Sequence, residues 1–162
     1  FQFGAMQTDP NLANYRFDPA TGSIVLLDFG AVQPIAPDLS EDFRALTRAA
    51  LDGGAAETRA AMLRIGYFGP DTAPHHQDLI QAMFTTAMGP VRQQGPFDFG
   101  TSDLLDRLRD MGLAIGTDRE LQHVPPAATL FLHRKIGGMY LMAAKLGARV
   151  DLRPLVEGHL GT

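Results

Sequence analysis

Asp9 and Asn14 stand five residues apart in "QTDPNLANYRFD", and Asp28 follows in "VLLDFGA" after a stretch with the character of a hairpin. A carboxylate and a side-chain carbonyl brought together can share one Mg²⁺, a hard cation that takes oxygen ligands and keeps water or phosphate oxygens in its other positions. A second carboxylate nearby orients or deprotonates an attacking oxygen. That division of labour is the chemistry of phosphoryl transfer, where the protein supplies metal ions and positioning more than covalent help. On this reading Asp9 is the catalytic, orienting carboxylate, while Asn14 and Asp28 hold the metal and, through it, the phosphates.

The spacing Asp-x-x-x-x-Asn followed by Asp-Phe-Gly is that of the protein-kinase catalytic loop and its metal-binding segment. The plainer alternative is a surface hairpin, since Asp-Pro-Asn is a common turn and Asp-Phe-Gly recurs by chance. The chain itself holds a second copy at Asp98, in "PFDFGT". No apolar strand precedes that copy and a helix start follows it, so Asp98 reads as a turn or cap residue. Phe97 and Phe99 read as anchors of a loop in the core. The first copy, with its hairpin and its upstream Asp and Asn, is the working one.

These residues need an element to position them. Asn14 to Phe17 reads as a short aromatic strand, "DPATG" as a turn and Ile24 to Leu27 as the returning strand. A turn centred on position 21 puts Asn14 opposite Asp28, with α-carbons roughly 4.5 to 5.5 Å apart. From there the periodicity becomes helical. Leu39, Phe43, Leu46 and Ala50 share one face, with a capping-box-like start at Asp38 and Glu41 and a stop at Gly53 and Gly54. Further helices are expected over 55–65 (Met62, Leu63 and Ile65 apolar), 74–92, 103–111, 125–146 and 152–160. The fold class is therefore mainly α with a small β-hairpin, in a single domain: residues 1–30 form the catalytic-loop and metal-binding hairpin, and 38–162 a helical bundle.

Composition sets the limits. With 162 residues and 45% hydrophobic content the chain suffices for one ordinary core. It has no cysteine, which excludes thiolate nucleophiles and Cys-zinc sites, and a formal charge of −4 that gives no pull toward nucleic acid. No run of about 18 apolar residues is long enough to span a bilayer, and the first ten residues lack a secretory leader pattern. His75 and His76 are adjacent at a helix start, and His123, His133 and His159 show no metal-binding spacing. Met83, Met88, Met139 and Met142 fall on helical stripes and are expected in the core. Gly137 and Gly138, inside "LHRKIGGMYL", suggest close packing against a neighbour.

The segments "QTDPNLANYRFD", "VLLDFGA", "PFDFGT" and "LHRKIGGMYL" together resemble the UbiB-type atypical kinases, also called the AarF or ADCK family, which are linked to coenzyme Q biosynthesis. The "QTDPN" form is similar to the mitochondrial and alphaproteobacterial branch. The resemblance implies the C-terminal lobe of a protein-kinase-like fold, with Asp9 as the catalytic-loop aspartate and Asn14 and Asp28 as metal ligands. It implies Mg²⁺ and ATP as cofactors, ATPase or small-molecule kinase activity, and a quinone-precursor lipid or membrane surface as partner. The nucleotide-covering lobe and the family's K-x-G-Q segment are not found in these residues, so the expected lobe partner lies before Phe1. The chain alone is expected to be inactive and capable of self-association through the surface that lobe would cover.

Two readings from other classes compete: a metabolite kinase of the choline or aminoglycoside type, and a non-catalytic pseudokinase scaffold. The location implied is cytoplasmic and peripheral to the inner membrane in a bacterium, or the matrix side in a mitochondrion.

Overall fold

The computed structural model describes residues 4–121 and 123–161. Two small antiparallel ladders open the chain. Strand β1 (Ala5–Gln7) leads into a single 3-10 turn (Leu12–Asn14), followed by β2 (Tyr15–Asp18), β3 (Ser23–Leu26) and β4 (Val32–Pro34). β2 pairs with β3, and β4 returns to pair with β1.

The hairpin exists, with a register one residue from the expected one. Tyr15 faces Leu26 and Asp18 faces Ser23, so Asn14 lies opposite Leu27 rather than Asp28. The cause is Asp18, whose carboxylate accepts the Ala20 N–H at 2.9 Å and the Thr21 hydroxyl at 2.9 Å, while its carbonyl accepts the Gly22 N–H. These bonds close the turn on residues 19–22 and move its centre ahead of position 21. Gly22, at φ 67°, supplies the left-handed backbone the turn requires.

Helices α1 (Pro37–Asp52), α2 (Ala55–Ile65), α3 (Pro74–Ala87), α4 (Gly89–Arg92), α5 (Leu104–Thr117), α6 (Ala127–Lys145) and α7 (Leu152–Leu160) follow, so the chain is mainly helical with small two-stranded sheets. The apolar face of α1 is buried as its spacing requires: Phe43, Leu46 and Ala50 join Ala61, Met62, Ile65, Tyr67 and Phe68 in the interior. Leu39, Ile80, Phe84 and Leu132 pack around the cluster formed by most of these. Gly66, at φ 87°, ends α2 with its N–H on the Met62 and Leu63 carbonyls. A second cluster forms around Phe99, Leu104 and Tyr140, with Leu105, Leu108 and Leu152 against it.

Several expectations are corrected. α1 starts at Pro37 without a side-chain cap; Asp38 Oδ1 accepts the neighbouring Leu39 N–H, and Glu41 instead pairs with Arg44 and Arg48. The box-like start belongs to α2, where Glu57 accepts the Gly54 N–H at 3.0 Å. Leu63 and Met139 are exposed, and Met83, Met88 and Met142 are only half-buried; the methionine in the core is Met62. The 74–92 helix breaks at Met88, after which α4 starts at Gly89 with Pro90 in its first turn, and α5 runs on to Thr117. A further ladder, β5 (Phe97–Asp98) with β6 (Arg149–Val150), has no counterpart in the sequence reading.

Candidate phosphoryl-transfer site

Two loops bridge the gap between the opening ladders, and they carry the candidate residues. One runs from β1 to β2 and contains Asp9; the other runs from β3 to β4 and contains Asp28. They are tied together at both ends. Thr8, buried, sends both its N–H (2.7 Å) and its hydroxyl (3.1 Å) to the Ala31 carbonyl. At the other end the Leu27 N–H donates to the Asn14 carbonyl at 2.9 Å. Asp28 is the next residue after Leu27, one position on from the residue that bonds Asn14.

Within the first loop Asp9 and Asn14 meet. Asn14 Nδ2 donates to the Asp9 carboxylate Oδ2 and to the Asp9 carbonyl, both at 3.3 Å. The loop closes on itself through Asn11, whose N–H goes to the Asp9 carbonyl, whose Oδ1 accepts the Ala13 N–H, and whose carbonyl accepts the Asn14 N–H. With its amide nitrogen committed to Asp9, Asn14 presents Oδ1 as an acceptor. Asp28 Oδ1 takes the Gly30 N–H at 2.7 Å, which fixes an exposed carboxylate on the second loop. The donors are all oxygens on adjoining loops, a set that suits Mg²⁺ and would not suit a soft metal.

Side chains of α6 support the site, a contribution that the sequence reading missed. Arg134 Nη2 lies 3.3 Å from Asp9 Oδ1, and Lys135 Nζ donates to Gln7 Oε1 at 3.1 Å. Tyr15, at the start of β2, donates its hydroxyl to the same Gln7 oxygen at 3.4 Å. One helical turn on from Arg134, Gly138 touches Pro10, and an added Cβ there would collide with the proline ring. Gly138 therefore packs as the glycine pair suggested, while Gly137 has nothing within 4 Å of an added Cβ. Each of the three contacts lands on "QTDP". The available signal was a pair of cations and a glycine on one face of an otherwise apolar helix.

The Asp9 carboxylate thus has Asn14 on one oxygen and Arg134 on the other. Both contacts sit at the long end of hydrogen-bond range, so the group is oriented without being locked. The ion pair is solvent-exposed, 64% for Arg134 and 39% for Asp9, and contributes little to stability.

The second Asp-Phe-Gly does different work. Asp98 Oδ1 accepts the N–H of Gly100 (3.0 Å) and of Thr101 (3.2 Å), the turn role expected, while its Oδ2 pairs with Arg149 at 3.6 Å. It does have a strand partner, in β6. Phe99 is buried against Phe97 and Tyr140, with ring centroids at 4.8 and 5.2 Å. Gly100 lies against the Gly147 backbone, where an added Cβ would come within 2.9 Å of an α-carbon. That glycine serves close packing of two chain segments.

His75 and His76, adjacent at the start of α3, come together with Asp118, their donor atoms within 4.8 Å of one another. His123, His133 and His159 are bonded to the Gly66 carbonyl, the Tyr67 hydroxyl and the Leu155 carbonyl.

Residues 1–62 match the ABC1 atypical kinase-like domain. Over 158 residues the chain is 30% identical to the mitochondrial atypical kinase COQ8B of Rattus norvegicus, covering 97% of this chain and 29% of that protein. It is 33% identical over 160 residues to the mitochondrial atypical kinase COQ8 of Saccharomyces cerevisiae, covering 96% and 31%. The Schizosaccharomyces pombe COQ8 is 32% identical over 162 residues, covering 98% and 26%. The chain belongs to the ABC1/UbiB atypical kinase family. It spans under a third of the length of these relatives. Among the described residues no helix is long and apolar enough to cross a membrane.

Proposed function

We propose that this chain is the catalytic-loop and metal-binding part, the C-terminal lobe, of an ATP- and Mg²⁺-dependent atypical kinase or ATPase acting in quinone-lipid synthesis. The observation that carries the reading is the Asp9–Asn14 contact inside a loop laced at both ends to the loop of Asp28. A chance Asp-Phe-Gly beside a surface turn has no reason to be tied that way. The quinone-lipid part rests on the family resemblance.

In this reading Asn14 and Asp28 would hold Mg²⁺, which would supply neutralisation of charge on the transferring phosphate. Asp9 orients the attacking oxygen and accepts its proton. Arg134 and the Asn14 amide hold the carboxylate in place from opposite sides, and Gln7, gripped by Lys135 and Tyr15, fixes the strand that leads into it. Adenine and the outer phosphates need contacts from residues outside these 162. The exposed side chains of Phe17 and Ile24 in the hairpin and of Phe29 in the second loop are apolar surface available to such residues.

The test is ATP turnover by the full-length protein carrying this chain, with and without Mg²⁺ and a quinone-precursor lipid. Turnover that requires Mg²⁺ and is lost in Asp9→Asn supports the reading. A folded full-length protein that neither binds nor turns over ATP would favour the scaffold alternative.

A further inference from the structure

A second group of chemistry-bearing side chains lies outside both loops of the site, where the start of α3 meets the residue that ends α5. We propose that His75, His76 and Asp118 form a binding site for a borderline transition-metal cation, Zn²⁺ being the probe of choice.

Three features of the cluster point to a ligand. The donor atoms of the three residues lie within 4.8 Å of one another, a spread that one cation among them can span. Two imidazole nitrogens and one carboxylate are the donors of a three-ligand zinc site with a further position open to water, and they are a poor set for Mg²⁺ or Ca²⁺. The ligands are also held before any cation arrives. His76 is buried, with 3% of its surface exposed, and its Nε2 already lies 2.7 Å from Asp118 Oδ2. The other carboxylate oxygen accepts the Glu120 N–H at 2.9 Å, the kind of outer contact that aims a ligating carboxylate.

A hydrogen bond joining α3 to α5 accounts for His76 and Asp118. It leaves His75 without a part, although its ring lies over that of His76 with centroids 3.9 Å apart. A cation takes in all three, and it would pin the start of α3 to the end of α5, two helices that pack against each other.

The test uses the 162-residue chain, purified without a histidine tag and stripped with chelator. Calorimetric titration with Zn²⁺ should show one saturable site and a rise in Tm, as binding to the folded state requires, and Mg²⁺ at the same concentrations should give neither. His75 is exposed, so His75→Ala should fold normally and bind Zn²⁺ at least about tenfold more weakly, as should Asp118→Asn. X-ray absorption of the zinc complex should report two imidazole nitrogens. Absence of saturable Zn²⁺ binding, an equal response to Mg²⁺, or undiminished affinity in either variant would overturn the proposal. None of these readouts involves ATP, so failure here leaves the phosphoryl-transfer reading untouched.

Discussion

Gly138 of α6 lies directly against Pro10 of the Asp9 loop, with no room for a methyl group between them. The loop has backed onto a helix at a point only glycine allows. That approach brings Arg134 to Asp9 and Lys135 to Gln7 from the same helix.

Gly138→Ala should therefore push α6 and the loop apart, at a cost of about 1–3 kcal/mol from overpacking. Gly137→Ala, one position earlier with open space around it, should stabilise by about 0.5–1 kcal/mol through helix propensity. Urea unfolding of the two variants measures the contrast. Stabilisation by both substitutions, or two neutral results, would mean that α6 does not bear on the loop.

Arg134→Met should leave stability within about 1 kcal/mol of wild type, because the Asp9 pair is exposed. In the full-length protein the same change should lower kcat roughly ten- to hundredfold, since a slightly misplaced carboxylate loses much of its effect. Arg134→Lys should recover part of the rate by restoring a cation beside Asp9. A kcat unchanged in the Met variant would reduce Arg134 to a surface residue.

Two buried tyrosines set the alkaline limit of the fold. Tyr140, whose hydroxyl donates to the Ala87 carbonyl at 2.9 Å, has its phenol pushed up to about 12 by burial, and burial moves the Tyr67 phenol in the same direction. In the unfolded chain a tyrosine loses its proton near 10, so above that pH the unfolded state binds fewer protons than the folded one. Stability is then full below about pH 10 and falls as pH rises, by about 1.4 kcal/mol per unit for each such group. Tyrosinate absorbance from these two residues should rise together with loss of circular dichroism. Tyr140→Phe should flatten the pH slope while costing about 1 kcal/mol at neutral pH, because the Ala87 carbonyl loses its donor.

The helices were legible because each buries one face against a neighbour, and burial writes a repeat into the sequence: Phe43, Leu46 and Ala50 could be assigned to the interior from spacing alone. Asp9, Asn14 and Asp28 were legible as candidates from residue type and spacing; the hydrogen bond that joins Asp9 to Asn14 was not. The ladders β1–β4 and β5–β6 were not. Strands of two or three residues are too short to alternate, and their partners lie 25 or more residues away in the chain. The hairpin register escaped because it depended on how Asp18 used its carboxylate, a local choice that placed the turn centre differently. Arg134 escaped because its partner is 125 residues distant. His75 and His76 needed Asp118, 42 residues on from His76, before any cluster existed.

The central claim, that the first Asp-Phe-Gly binds metal for phosphoryl transfer and the second is structural, is tested most directly by one comparison in the full-length protein. Asp28→Asn should abolish Mg²⁺-dependent ATP turnover with folding intact, because a metal-holding carboxylate loses its charge. Asp98→Asn keeps an oxygen for the Gly100 and Thr101 N–H groups, so it should retain near wild-type turnover and lose no more than about 0.5–2 kcal/mol of stability. Equal loss of turnover at both positions, or full activity in Asp28→Asn, would contradict the account.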